Sequence, residues 1–177
     1  VPVQNQYGGF VYAGATMAFT TAYWVLGHYN PREIAFLGCD MSYPKSSKTH
    51  FYGTGTADPL REDITLISLE AKAARLYALA LAQGCEITNL SQETSRLIAP
   101  RRSLLEPRPK PFKIDKVQKA HALAREQELA YYVASGRYWE ELERFDIKQI
   151  KRLDALWSTV VIAPPQGAVA PMLSHWI

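Results

Sequence analysis

The sequence predicts an α/β fold: a Rossmann-like parallel sheet built from consecutive βαβ units, followed by a helical C-terminal region. Three observations predict it. Ile34 to Leu37 is a short apolar run closed at once by Gly38, Cys39 and Asp40, which reads as a buried parallel strand. Cys85 to Leu90 is a second such run, set off from the first by a helix-spaced segment. With Phe10-Val11-Tyr12 as a first strand, the order becomes strand, helix, strand, helix, strand. That order spells two right-handed βαβ units.

The elements follow in chain order. Val1 to Gln6 is polar and reads as irregular. Gly8-Gly9 leads into the strand Phe10-Tyr12, and Ala13-Gly14-Ala15-Thr16 opens a helix to about His28. That helix is apolar nearly all round (Met17, Phe19, Tyr23, Trp24, Leu26), so it should be buried. A Gly-containing turn at a helix start offers backbone N–H groups to an anion, which makes Gly14 and Thr16 candidate binding residues. Close packing is the alternative reason for Gly14. Asn30-Pro31 ends the helix. Asp40 then sits at the carboxyl end of a strand, where ligand-contacting groups of open α/β sheets collect; capping a turn is its alternative use.

Met41 to Glu62 is a long connection carrying Tyr43, Lys45, Lys48, His50, Tyr52, Asp58 and Arg61. Connections of that length are usually functional or mobile; these side chains suit a phosphorylated ligand, and a solvated loop whose aromatics pack locally is the alternative. Asp63 reads as the start of a helix with an apolar face from Ile64 to Ala80, with Glu70, Lys72, Arg75 and Gln83 outside it. Gly84 fits a C-terminal left-handed position. Ser91, Ser95 and Arg96 lie beyond the carboxyl end of the next strand.

The organisation is therefore an α/β domain over residues 1–100, a Pro/Arg-rich connector over 101–113 and a helical extension over 114–177. From Pro100 to Pro111 the chain holds four prolines and three arginines and should run extended. Ile114 to Ser135 reads as a charged helix ended by Gly136; Ile147 to Ile162 reads as another, although Val160-Val161-Ile162 also suits extended structure. The apolar tail docks on the body or meets another subunit.

The bulk properties bound the function. The chain has 177 residues, 47% hydrophobic and 21% charged, an ordinary globular composition. A net charge of +3 does not argue for nucleic acid. No apolar run reaches the ~18–20 residues of a membrane span, since Ala15 to Leu26 is short and broken by Thr16, Thr20 and Thr21. Two cysteines, Cys39 and Cys85, make neither a disulfide framework nor a zinc site, and point to a reducing, cytoplasmic setting. The chain opens on Val1 with nothing like a signal peptide, so a fragment or a processed chain is expected.

Residues 8–100 resemble the bacterial sialyltransferases of Rossmann-like fold and a related group of uncharacterised domains that includes 6-hydroxymethylpterin pyrophosphokinase-like proteins. The matching runs are Ala13-Gly14-Ala15-Thr16 with its helix, Glu33 to Tyr43, the Asp63-led helix, and the strand closing on Asn89-Leu90-Ser91. The resemblance implies a nucleotide-sugar donor and a sugar acceptor, with no cofactor and no metal. It implies that the turn at Gly14 and Thr16 contacts a sugar carboxylate, and that Tyr43 and Tyr52 hydrogen-bond the leaving phosphate. A phenol donating to an oxygen that gains charge acts most strongly in the transition state. The family's catalytic His precedes the helix that starts here at Asp63; this chain has Gly55-Thr56-Ala57-Asp58 there, with His50 upstream. His50 and Asp58 are thus the candidate bases, beside the strand-end Asp40.

Three functions follow. The first is a glycosyltransferase-like domain with Ser91 and Arg96 among its phosphate contacts. The second is pyrophosphoryl transfer, which needs Mg²⁺ on Asp40 and Asp58. The third is a non-catalytic nucleotide-binding or assembly module forming homo-oligomers through Tyr131, Tyr132, Tyr138, Trp139, Trp157 and Trp176; aromatics at helical spacing are otherwise core. His28, at a helix C-terminus, reads as a structural histidine.

Overall fold

The computed structural model describes residues 1–41 and 63–163. Short helices α1 (Pro2–Gln6) and α2 (Phe10–Ala13) lead into α3 (Met17–Tyr29) and strand β1 (Glu33–Phe36). Helix α4 (Leu69–Ala82) and strand β2 (Glu86–Asn89) follow. Then come β3 (Lys113–Ile114), α5 (Lys116–Leu129), two single 3₁₀ turns (Tyr138–Glu140, Leu142–Arg144), α6 (Ile147–Ser158) and β4 (Val161–Ile162).

The expected sheet of consecutive βαβ units is not formed. The described residues make a mixed, mainly helical protein with two sheets of two short strands each. β1 pairs parallel with β2, Ile34 opposite Ile87 and Phe36 opposite Asn89; β3 pairs antiparallel with β4. A single parallel bridge, Asn89 to Arg101, adds a stub beside β2. One crossover, β1–α4–β2, is thus all that remains of the expected topology.

The correction starts at Phe10-Val11-Tyr12, which is helical. A three-residue apolar run has no resolvable period, so burial alone cannot tell strand from helix. Val11, Tyr12 and Ala13 are all buried, as on an element packed on every side, where a half-buried strand would alternate. Gly9, at φ 86°, supplies the sharp entry. Val1 to Gln6, read as irregular, contains the turn-and-a-half of α1 with Pro2 in its first position.

Helix α4 organises the packing. One face (Leu69, Ala73, Leu76, Tyr77, Ala80) joins α3 and the β1–β2 pair in one core; Ala71 and Ala78 join α5 and α6 in a second. Alanines on both faces let neighbouring helices approach closely. The sequence places its start at Asp63, but its N-cap is Ser68, whose Oγ accepts from Ala71 N at 3.2 Å. Asp63 instead closes a local turn, accepting from Thr65 N and Oγ1 at 2.7 Å, and Tyr138 Oη donates to its other oxygen at 2.7 Å.

Helix α5 ends well short of Ser135, at a left-handed Ala130 (φ 51°). Val161 and Ile162 leave the α6 helix and become β4, the extended alternative. No helix among the described residues is long and apolar enough to cross a membrane.

Candidate functional site

An open cleft of about 740 Å³ lies between the first half of α3 and the outer edge of β1, a size suited to a small organic ligand. Thr16, Ala18, Phe36, Gly38, Asp40 and Met41 are among its lining residues. Two of the sequence-derived candidates, Thr16 and Asp40, therefore meet at one cavity. The local sequence explains how. Thr16 is extended and caps α3, its Oγ1 accepting from Phe19 N at 3.3 Å. Asp40 follows β1 through Gly38, whose φ of 69° turns the chain out of the strand.

One residue of the cleft lining and one chain neighbour of that lining hold backbone conformations that side chains disfavour. Among the described residues four non-glycines have positive φ. Asn30 and Ala130 are ordinary helix C-caps. The other two, Ala15 (φ 84°) and Met41 (φ 54°), stand next to Thr16 and Asp40. Strain of this kind persists only where the surroundings enforce it, and it gathers at functional sites.

Gly14, Ser91 and Arg96 have structural duties. Gly14 is absent from the cleft lining. A Cβ there would sit 2.4 Å from the Phe10 carbonyl oxygen, so the glycine serves close packing of the turn. Ser91 is buried, and its Oγ accepts from Gly38 N at 2.9 Å. Arg96 N donates to the Asp40 carbonyl at 2.8 Å and its Nη1 to the Met41 carbonyl at 3.3 Å, while its Nε donates to Glu70 at 2.6 Å. Ser91 and Arg96 thus brace the loop that carries Asp40. Tyr43, His50, Tyr52 and Asp58 lie outside the described residues.

Cys39 lines the same cleft. Burial pushes its thiol pKa up, and the neighbouring Asp40 carboxylate pushes it further. Burial also raises Cys85, helped by Glu33 and Glu86, to about 11. Both are free thiols that stay protonated near neutral pH, which does not suit a nucleophile. Among the described residues no group of three or more His, Cys, Asp or Glu side chains is placed to hold a metal ion.

A second cavity, about 500 Å³, is lined by Tyr7, Tyr12, Arg75 and Glu126 among others. The sequence put Lys72 and Arg75 on the outside of α4; both are buried. Arg75 makes a two-pronged pair with Glu126, Nε to Oε1 at 2.7 Å and Nη2 to Oε2 at 2.8 Å. Its Nη1 donates to Tyr23 Oη at 2.8 Å and Nη2 also to the Tyr7 carbonyl at 2.7 Å. Trp157 Nε1 donates to Glu126 at 2.7 Å, and the rings of Tyr12, Tyr23 and Trp157 surround the guanidinium at 5.6–5.8 Å. Burial works against the Arg75 cation, but Glu126 and Tyr23 more than offset it and hold its pKa above the ordinary range. Lys72 Nζ donates to the Val11 carbonyl at 2.9 Å, with Asp154 3.9 Å away. Burial lowers the Lys72 pKa and raises that of Asp154. The strongest polar groups here are spent on one another, which is the mark of an internal tie.

The aromatic residues divide as well. Trp157 and Tyr131 are core; Tyr132 and Trp139 are exposed, and Trp176 lies outside the described residues. His28 is exposed and lies parallel to Trp24, with ring centroids 5.0 Å apart. In comparison with known proteins, no family model, no curated protein and no solved structure matches the chain.

Proposed function

We propose that the cleft between α3 and β1 binds a nucleotide-sugar and that the protein transfers its sugar to an acceptor hydroxyl. The observation that carries this reading is the meeting of Thr16 and Asp40 at one ligand-sized cavity, with the strained Met41 in its lining and the strained Ala15 next to Thr16 in the chain. The start of α3 favours the anionic part of the donor, because its aligned peptide dipoles leave partial positive charge there. Asp40, at the strand end, takes the proton of the attacking hydroxyl as the bond to the nucleotide phosphate breaks. Chain connectivity runs from Met41 directly into the stretch that carries Tyr43, His50, Tyr52 and Asp58, the residues assigned to leaving-group and base duties by the sequence resemblance. A cytoplasmic setting fits a nucleotide-sugar substrate and two free thiols.

A thermal-shift titration with CMP, CDP, ATP and GTP, each with and without Mg²⁺, tests the reading. A ligand bound only by the folded state raises the melting temperature by mass action. The expected result is a rise with a cytidine nucleotide that does not depend on Mg²⁺. The Asp40→Asn variant is expected to keep that rise and to lose transfer of the sugar. A rise only with Mg²⁺ and a purine triphosphate would replace glycosyl transfer with pyrophosphoryl transfer. No rise with any nucleotide would sink both.

A further inference from the structure

The connector after β2 ends in a tip that no part of the fold requires. Leu104 is 73% exposed and Leu105 96%, side by side on one turn. Two neighbouring leucines in water are a cost unless something covers them. The turn is not loose: Arg102 Nη1 donates to the carbonyls of Ser103, Leu104 and Glu106 at 3.2–3.3 Å, and its Nη2 to Glu33 at 2.9 Å. Ser103 N donates to the Glu106 carboxylate at 2.6 Å. The base is tied to the sheet, with Asn89 N donating to the Pro100 carbonyl at 2.9 Å and Arg102 N to the Asn89 carbonyl at 3.1 Å. The leucines are therefore held outward by a braced arginine-centred turn, so little ordering remains to be done on binding.

Charge identifies the partner. Residues 101–113 hold five cations (Arg101, Arg102, Arg108, Lys110, Lys113) against one carboxylate, Glu106, an excess of four where the whole chain has three. Arg101, Arg108, Lys110 and Lys113 are exposed. Arg102 is already paired with Glu33, and Arg108 lies 3.4 Å from Glu86. An apolar tip within a cation-rich, largely exposed segment matches a bilayer surface, where leucines enter the acyl boundary and cations stay among anionic headgroups. Two leucines are too small a core for a stable protein interface, which buries about 800 Å² on each partner.

We propose that the Leu104-Leu105 turn is a peripheral membrane anchor that docks the protein on anionic lipid. The test is co-sedimentation of the full chain with vesicles of phosphatidylcholine alone and of equal parts phosphatidylcholine and phosphatidylglycerol, at low and high salt. The protein is expected to bind the anionic vesicles and to be released by salt. Leu104→Ser/Leu105→Ser is expected to weaken binding about tenfold or more while melting at the wild-type temperature, since both side chains are exposed. Arg101→Glu/Lys110→Glu is expected to weaken binding and flatten its salt dependence. The proposal fails if the wild type ignores anionic vesicles, or if the double serine variant binds as well as the wild type. It also fails if, in place of vesicle binding, the wild type dimerises in solution and the serine variant does not; the tip would then serve a second copy of the chain.

Discussion

The molecule holds two polar regions, one on either side of α3's buried face, and they are built on opposite plans. Around Arg75 every strong group is turned inward onto another: Glu126, Tyr23, the Tyr7 carbonyl and the Trp157 indole close the set. At the end of β1 the hydrogen bonds instead run underneath, from Gly38 N to Ser91 Oγ and from Arg96 to the Asp40 and Met41 carbonyls, and the loop they support borders open space. Closure is what a polar network needs to survive in a low-dielectric interior. Support from below with an open upper side is what a binding loop needs. Polar density alone does not separate the two; the direction of the bonds does.

The sharpest way to break that contrast is Arg75→Met. It leaves the Glu126 carboxylate buried without its cation, and a loss of about 3–5 kcal/mol is expected in denaturant unfolding. Arg75→Met/Glu126→Gln should recover part of it. If Arg75→Met melted like the wild type, the cluster would not be an internal tie and its cavity would become the better binding candidate.

Ser91→Ala should cost far less, about 1 kcal/mol, for one bond to a main-chain N–H. Its informative effect lies elsewhere. Loss of the Gly38 brace should weaken the nucleotide-dependent rise in melting temperature beyond what the stability loss explains. An unchanged rise would mean that the brace does not position the cleft.

The smallest effect is expected with pH at the sheet's other end. Burial pulls the Glu33 pKa upward, but hydrogen bonds from Thr88 at 2.7 Å and Arg102 at 2.9 Å outweigh it, so the folded-state value is lowered. A carboxylate with a lowered folded pKa stabilises above its unfolded pKa, and that stability is lost as pH falls through the folded value. Unfolding measured from neutral pH down through the carboxylate range should therefore show less acid loss in Glu33→Gln than in the wild type. Equal acid loss would remove Glu33 from the account.

Much of the local structure was legible, because its signals are local. Thr16 before an apolar run, Asn30-Pro31 after it, and Gly38 closing four apolar residues each carry their cause within a few positions. The error at Phe10-Tyr12 has the same origin: three residues hold no period, and the helix they form is set by what packs around them. The Arg75 cluster was hidden for a different reason. Glu126 lies 51 residues on in the chain, so no spacing rule joins it to Arg75. The signal that was available is α4's alanine-rich composition on both sides of Lys72 and Arg75. A helix apolar on more than one face is buried, and its charges must be buried with it. Of the candidate site, Asp40 was legible from the strand-end rule and Thr16 from the helix-start rule, whereas their meeting at one cleft and the bracing roles of Ser91 and Arg96 depend on atoms brought together from distant parts of the chain.

The two short ladders have a kinetic consequence. β1 meets β2 and β3 meets β4 each across roughly fifty residues of intervening chain, so neither ladder forms until a long loop has closed, at an entropic cost that a turn-linked hairpin avoids. The first loop contains α4, which packs against β2, and the second contains α5 and α6, which pack against each other. Helix formation shortens those loops before they close. The rate at which the protein reaches its native state should thus be governed by the early helicity of α4, a long helix that lines both cores.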